Sequence, residues 1–235
     1  MNNDMKNRPL GELVTENPNR AELFETLGLD YCCGGKETLA NACMAKQLSP
    51  DSIVDRILTF DNLTVHQEKE LWGDAPPSLL ADHIVGTHHV YLKREFPRME
   101  QLLAKVVSVH GAHHPALMDV QRVFALLYSD AKLHLLDEEL TTFPAIRRLE
   151  AGTITPADRA ELVAGLDKLM TEHVVVGGAL AEIRRLTDGY TLPEDGCQSY
   201  HTLLHWLLNL ENDFHIHVHK ENNIMFPKVQ QLLNS

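Results

Sequence analysis

The sequence has few cysteines and no long apolar run. Its 235 residues include only four cysteines, two of them adjacent, which argues against the disulfide framework of a small secreted protein. A membrane-spanning helix needs about 18 or more consecutive apolar residues, and no stretch of the sequence is that long. The polar N-terminal segment, Met1 to Gly11, lacks the apolar core of a signal peptide. We therefore expect a cytoplasmic protein in a reducing environment, with no membrane partner.

Positive charge is also scarce. The sequence contains 21 lysines and arginines against 33 aspartates and glutamates, for a formal net charge of −12, and it has no charged tail. Because phosphate binding requires a basic face, we expect no nucleic acid partner. No segment shows the alternation of apolar and polar residues that is typical of a half-buried strand. With 44% apolar residues, the chain is predicted to be an all-α globular protein.

The residue type in excess is histidine, with 14 copies. Two of these histidines begin the same frame, H-x3-E-x4-F-P, at His134–Pro144 and again, 83 residues later, at His217–Pro227. Residues four positions apart lie on the same face of an α-helix, so each copy places a histidine next to a glutamate. The repeat predicts two helices that present the same pair of ligands to a shared metal site.

The C-terminal two-thirds of the chain predicts four long helices, because apolar residues recur there at every third or fourth position. The approximate bounds of these helices are 78–109, 116–150, 156–187 and 197–233. Short connections favour an all-α four-helix bundle with up-down-up-down order. Pro144 falls inside the second helix and should kink it.

The first 60 residues predict a separate small domain of short helical pieces. Gly28 closes one piece, in the position of a left-handed C-terminal cap. A cysteine loop, Asp30-Tyr-Cys-Cys-Gly-Gly35, follows it. Residues 61–77 end in Ala-Pro-Pro-Ser and are predicted to be a linker. The bundle domain is therefore expected over residues 78–235.

Each helix of the predicted bundle carries one histidine on its apolar stripe, and two helices add a glutamate one turn later. A buried ionised carboxylate costs several kcal/mol unless it is paired or bound to a cation, and no lysine or arginine lies on these stripes. Imidazole together with carboxylate suits iron, manganese or zinc. The predicted metal ligands are His89, His134, Glu138, His173, His217 and Glu221.

The number of donor atoms favours two metal ions. Four imidazoles and two bridging carboxylates supply eight bonds, or four to each ion, and a bridging oxo or hydroxo group adds one more. One position of an octahedral ion then stays open for dioxygen, nitric oxide or peroxide. A metal that changes valence easily would be useful at that position, which favours a pair of non-haem irons.

Other histidines could also bind metal, but they fall off the apolar stripes and are interpreted as surface residues. They are His88, His110, His113, His114, His201, His205, His215 and His219. Those next to predicted ligands keep the choice of ligand open on the first and fourth helices. Glu139 and Glu172 flank ligands and are either hydrogen-bonding partners of the site or plain surface charges.

The adjacent cysteines, Cys32 and Cys33, allow two interpretations. Neighbouring residues fit disulfide geometry poorly. The two cysteines are either small residues in a glycine-rich turn or exposed thiols that serve redox chemistry or metal transfer. Cys43 and Cys197 are interpreted as ordinary thiols.

The Tyr-Cys-Cys-Gly-Gly loop ahead of helices with the H-x3-E-x4-F-P repeat resembles the iron–sulfur cluster repair di-iron proteins, the RIC family of the YtfE and ScdA type. The resemblance covers nearly the whole chain, as an N-terminal ScdA-type domain followed by a hemerythrin-like domain. It implies a di-iron centre with the same six ligands, in which Glu138 and Glu221 bridge the irons. It also implies a cytoplasmic stress protein that restores iron–sulfur clusters after nitrosative or oxidative damage.

The repair activity would proceed by iron donation or by handling of nitric oxide, with damaged iron–sulfur proteins as partners and Cys32 and Cys33 as transfer thiols. Whether nitric oxide is reduced at the site or only bound is left open, and a homodimer is possible. One alternative is a hemerythrin-like module that binds or senses dioxygen or nitric oxide. Another is a structural clamp in which zinc holds the bundle together.

Overall fold

The computed structural model describes residues 2–63 and 72–234, and every regular element in these ranges is a helix. The predicted all-α class is therefore confirmed. An isolated antiparallel bridge joins Pro9 to Thr38. None of the described helices is both long enough and apolar enough to cross a membrane.

The helices belong to two compact units. One unit comprises Met1–Ala81 together with His215–Ser235, and the other comprises Asp82–Phe214. We call them the terminal unit and the central unit. In chain order the helices are α1 (Asn2–Met5), α2 (Leu10–Glu16), α3 (Arg20–Leu27), α4 (Leu39–Ala45), α5 (Pro50–Leu63), α6 (Pro77–Ile84), α7 (Val90–His110), α8 (Ala116–Asp137), α9 (Phe143–Glu150), α10 (Pro156–Leu186), α11 (Gln198–His219) and α12 (Phe226–Asn234).

Three π-helical segments interrupt these helices without ending them. They are Val85–His89, Glu138–Thr142 and Lys220–Met225. The helical stretches therefore run over 77–110, 116–150, 156–186 and 198–234, and each bound lies within one residue of its prediction. Most of the predicted linker, residues 61–77, lies outside the described residues or within α5 and α6.

The second and third π-helical segments stand directly before the two Phe-Pro pairs. Pro144 has no N–H to bond the carbonyl four residues earlier. The N–H of Phe143 bonds the carbonyl of Glu138, five residues back, and Phe226 bonds Glu221 in the same way. The predicted disturbance at Pro144 therefore takes the form of a π-helical segment, an element that is frequent at functional sites.

In the terminal unit, α5 packs against α1, α3 and α4, and α2 packs against α3. Gly28 ends α3 with φ +64°, as the predicted left-handed cap requires. The guanidinium of Arg20 is buried and joins three partners. It donates to Asp61 on α5 at 2.6 Å, to Glu16 at 2.9 Å and to the carbonyl of Leu13 at 2.9 Å. This network ties α3 to its neighbours.

In the central unit, α7 and α11 run in opposite directions. So do α8 and α10, because His134 contacts Glu172 whereas Asp137 contacts Lys168. Near one end of α8, Asp137 pairs with Lys168 of α10 at 2.9 Å. Between α7 and α11, His110 at the end of α7 contacts Cys197 just before α11, whereas His88 before α7 contacts Asp213 near the end of α11. The core between these helices is built from the predicted stripes, with Leu92, Phe96, Met99, Leu103, Val106, Phe124, Leu127, Leu166, Leu169, Val176, Leu180, Leu203 and Leu210 all buried.

Candidate metal centre

The central unit brings four of the six predicted ligands together. His89 ends the first π-helical segment, and Glu138 begins the second. His134 and His173 lie on the buried sides of α8 and α10. His89 and Glu138 are 0% exposed, so the carboxyl group has no contact with bulk water. The apolar stripes carry these side chains into the core, as the helical periodicity predicts.

The carboxyl group of Glu138 lies between two imidazoles. Its Oε2 is 3.3 Å from Nε2 of His89, and its Oε1 is 3.2 Å from Nε2 of His134. The Nε2 atom of His173 is 3.2 Å from the same atom of His134. The donor atoms of His134, Glu138 and His173 all lie within 4.8 Å of one another.

Two further carboxylates fix the proton positions of the histidines. Glu139 lies 2.7 Å from Nδ1 of His89, and Glu172 lies 2.8 Å from Nδ1 of His134. Since an ionised carboxylate only accepts hydrogen bonds, each Nδ1 carries a proton, and in the neutral imidazole Nε2 presents its lone pair to Glu138. Burial opposes ionisation of Glu139, but hydrogen bonds from Lys93 and His89 outweigh burial and lower its pKa. Glu139 and Glu172 are therefore hydrogen-bonding partners of the site and not plain surface charges.

This donor set fits a multivalent cation. Lone pairs of two imidazoles and the oxygens of a fully buried carboxylate converge at 3.2–3.3 Å, and like partial charges at that distance repel one another. A cation among them reverses the sign of each interaction. Metal-binding histidines also typically donate their other ring N–H to a carboxylate, as His89 and His134 do here.

The terminal unit contains the other two predicted ligands. His217 lies in the last turn of α11, and Glu221 lies in the third π-helical segment. Both are fully buried, and Nε2 of His217 is 3.1 Å from Oε1 of Glu221. The repeat therefore places histidine and glutamate on one face, as predicted.

Several histidines that were interpreted as surface residues are buried, so that interpretation is wrong for them. His88 is 3% exposed and lies 2.9 Å from Asp213, because the π-helical segment lets both His88 and His89 turn inward. His219 is 4% exposed, and burial lowers its pKa to about 4. His110 is also buried, and His215 is half-buried beside Glu25 at 2.6 Å. His113, His201 and His205 are exposed, as predicted.

The cysteine loop of the terminal unit is held by Asp30. Its Oδ1 accepts from the backbone N–H groups of Cys32 and Cys33 at 3.1 and 2.9 Å. Cys32 is buried, so the interpretation of two exposed thiols is wrong for it, whereas Cys33 is half-buried. The two Sγ atoms are 3.9 Å apart and not bonded. A hydrogen bond with Cys33, burial and the charge of Asp30 raise the pKa of Cys32.

Asn223 is a positioning residue that the sequence analysis missed. Its Nδ2 donates to the carbonyls of Tyr31 and Cys32 at 3.2 and 2.9 Å. A Cβ atom on Gly35 would lie 2.3 Å from Oδ1 of Asn223, which explains why the cysteine loop ends in glycine. The two segments are far apart in the sequence, so only the tertiary structure reveals the contact.

The remaining cysteines differ from each other. Cys43 is buried, and burial raises its pKa. Cys197 is exposed, and a hydrogen bond from His110 lowers its pKa to about 7. The interpretation of Cys197 as an ordinary thiol is therefore wrong. His110 and Cys197 lie far apart in the sequence, so the sequence alone did not indicate their contact.

Comparison with known proteins gives matches over both parts of the chain. Residues 6–61 match the family ScdA_N, described as a domain of unknown function (DUF542). Residues 80–229 match the family described as the hemerythrin HHE cation binding domain.

Curated relatives match over nearly their whole length. The chain is 31% identical to the "Iron-sulfur cluster repair protein ScdA" of Staphylococcus haemolyticus (strain JCSC1435), over 93% of this chain and 96% of the relative. It is 27% identical to the "Iron-sulfur cluster repair protein YtfE" of Escherichia coli O81 (strain ED1a), over 95% of this chain and 96% of the relative. Since the second family match covers more than half of the sequence, this chain belongs to the hemerythrin HHE cation binding domain family.

Proposed function

We propose that the protein repairs damaged iron–sulfur clusters through a non-haem di-iron centre. The observation that carries the proposal is the fully buried Glu138 carboxylate, which lies between Nε2 atoms of two histidines whose Nδ1 protons are held by Glu139 and Glu172. The relatives named as iron–sulfur cluster repair proteins support the biological role.

The proposed ligands are the six that the sequence predicts. His89, His134, Glu138, His173, His217 and Glu221 would hold two irons. Each oxygen of Glu138 faces a different histidine nitrogen, so Glu138 would hold iron together with His89 and His134. Glu221 is equally buried and would hold iron together with His217, which lies beside it.

The residues of the chain prepare the site for iron in two ways. Glu139 and Glu172 hold protons at Nδ1 of His89 and His134, so that both Nε2 atoms remain available and more basic. The core around His89 and Glu138, both fully buried, keeps the Glu138 carboxylate from being hydrated. When bound, the iron pair supplies a change of valence and an open position for a small ligand such as nitric oxide or dioxygen.

The partners that this role requires are iron–sulfur proteins damaged by nitrosative or oxidative stress, in a cytoplasmic setting. Cys32 and Cys33 are proposed to assist redox chemistry or transfer. Cys33 is the more accessible of the two, whereas the raised pKa of Cys32 keeps its thiol protonated at neutral pH.

The proposal is tested by metal analysis and a repair assay on Glu138→Gln. We expect about two irons per chain in the unchanged protein, with an oxo-bridged diferric absorption band. The variant should lose most of its iron and its ability to reactivate a nitric-oxide-damaged iron–sulfur enzyme, because an amide cannot bridge two cations as a carboxylate does. Glu100→Gln, on an exposed position of α7, should leave both measurements unchanged.

Three outcomes would contradict the proposal. One zinc per chain would favour a structural clamp. Reversible binding of dioxygen or nitric oxide without cluster reactivation would favour a hemerythrin-like binding module. Full repair activity in Glu138→Gln would separate the repair function from this centre.

A further inference from the structure

A second group of metal-binding side chains lies in the central unit, at the end formed by the turn after α7 and the turn before α11. His110 is the last residue of α7 and His114 lies in the turn after it, whereas Asp195 and Cys197 lie in the turn before α11. Donor atoms of His110, His114 and Asp195 lie within 4.8 Å of one another. Nε2 of His110 is 3.1 Å from Sγ of Cys197, and Nε2 of His114 is 2.8 Å from Oδ1 of Asp195.

We propose that His110, His114, Asp195 and Cys197 form a second metal site, which binds a divalent cation of the zinc class. Two imidazoles, one thiolate and one carboxylate are the ligand types of tetrahedral zinc sites. None of these residues belongs to the proposed di-iron ligands, and the inference does not depend on the proposed repair function.

The distances require only a small adjustment to admit the ion. Bond lengths of about 2.0 Å to nitrogen and about 2.3 Å to sulfur place tetrahedral ligands roughly 3.3–3.5 Å apart. The two closest pairs, at 3.1 and 2.8 Å, would open slightly, and the other distances among His110, His114 and Asp195, within 4.8 Å, would close. A bound ion would replace the two direct hydrogen bonds.

The backbone and the neighbouring ring already hold these side chains in place. The N–H of His114 donates to the carbonyl of His110 at 2.8 Å, and Gly196 donates to Pro193 at 2.9 Å, so both turns are fixed. The buried ring of Tyr200 packs on both histidines, with centroid distances of 5.4 and 5.9 Å. Less conformational entropy is therefore lost when the ion binds.

Exposure and charge also suit a cation from solution. His110 is buried, whereas Asp195 and Cys197 are exposed, so the ion has a path from solvent. A carboxylate and a thiolate together would neutralise a dication. Four protein ligands leave no open position, which is typical of a structural site. The bound ion would link the end of α7 to the start of α11.

The test uses the iron-loaded protein, titrated with Zn²⁺ against a competing chelator and, in parallel, with Co²⁺. We expect one added ion per chain, and the cobalt form should show tetrahedral d–d bands and a thiolate-to-cobalt charge-transfer band. Cys197→Ser should abolish the charge-transfer band. Asp195→Asn should weaken zinc binding at least about tenfold, because mutation even of a residue that only hydrogen-bonds a metal ligand typically costs that much affinity.

The controls separate this site from the di-iron centre and from misfolding. His113→Ala removes an exposed histidine beside the cluster and should bind zinc like the unchanged protein. Asp195 and Cys197 are both exposed, so their variants should keep the circular dichroism spectrum. Equal zinc affinity in Cys197→Ser and the unchanged protein would overturn the proposal. So would a cobalt spectrum without the thiolate band, or loss of the added ion in Glu138→Gln.

Discussion

At the scale of single residues, two carboxylates hydrogen-bond to the proposed histidine ligands. Glu172 accepts from Nδ1 of His134 at 2.8 Å, and Glu139 does the same for His89 at 2.7 Å. These carboxylates decide which nitrogen of each imidazole is available to a metal. Their positions directly beside a ligand made them candidates in the sequence, but only the distances decide the role.

Glu172→Gln should lower iron affinity about 10- to 100-fold, because the amide holds the Nδ1 proton of His134 less strongly. The fold should be retained, since Glu172 is partly exposed. Iron retention against a chelator measures the effect. Glu161→Gln, at an exposed position of the same helix, is the matched control. Equal retention in both variants would show that Glu172 is only a surface charge.

Gly35→Ala should destabilise the terminal unit by about 1–3 kcal/mol, because the new Cβ would lie 2.3 Å from Asn223 and 2.6 Å from the carbonyl of Tyr31. Denaturant unfolding measures the loss. Gly178→Ala is the control: its Cβ meets nothing within 4 Å, and alanine favours the helix by about 0.5–1 kcal/mol. A stability of Gly35→Ala equal to that of the unchanged protein would mean that the close contact does not constrain the loop.

At the scale of the elements, the π-helical segments set the side-chain register of the site. Val85–His89, Glu138–Thr142 and Lys220–Met225 each contain a proposed ligand. A π-helical turn inserts one residue into the helical repeat. The inserted residue changes the direction of the side chains that follow each segment relative to the proposed ligand within it.

Pro144→Ala should shift the second segment toward regular α-helix, because alanine supplies the N–H that proline lacks. We expect weaker iron binding with unchanged or higher helix content, measured by metal analysis and circular dichroism. Pro97→Ala is the control, since Pro97 lies within α7 and not beside a π-helical segment. If Pro144→Ala retains iron as well as Pro97→Ala does, proline is not what maintains the segment.

At the scale of the whole molecule, stability should depend on metal. The core contains the buried carboxylates Glu138 and Glu221, both 0% exposed, and the net charge of −12 adds repulsion. A cation that binds only the folded chain stabilises it in proportion to the logarithm of its concentration over its dissociation constant. A bound metal cation would therefore offset part of the cost of burying these carboxylates.

Removal of iron should lower the melting temperature, and readdition should restore it. At a free iron concentration 1,000 times the dissociation constant, the stabilisation is about 4 kcal/mol. Calorimetry of the iron-loaded and the chelator-treated protein measures the difference. In Glu138→Gln that difference should shrink strongly. Identical melting temperatures of the two forms of the unchanged protein would contradict the prediction.

The sequence by itself determined the four long helical stretches and the inward-facing residues of their apolar stripes. Apolar spacing is local information, so the bounds of the four long stretches and the burial of His89, His134, Glu138 and His173 follow from it. The H-x3-E-x4-F-P frame likewise predicted the ligand pairs, because four residues make about one helical turn. The domain boundaries and the complete set of metal ligands stay predictions.

Only the tertiary structure decided which distant residues meet. His110 and Cys197 are 87 residues apart in the chain and 3.1 Å apart in space, and Asn223 closes on a loop near residue 32. The π-helical segments also escaped prediction, because a Phe-Pro pair indicates a disturbance of the helix but not which residues turn inward. The physical reason is the same throughout: helical periodicity records which side of a helix is buried, whereas contacts between helices depend on how the completed helices pack.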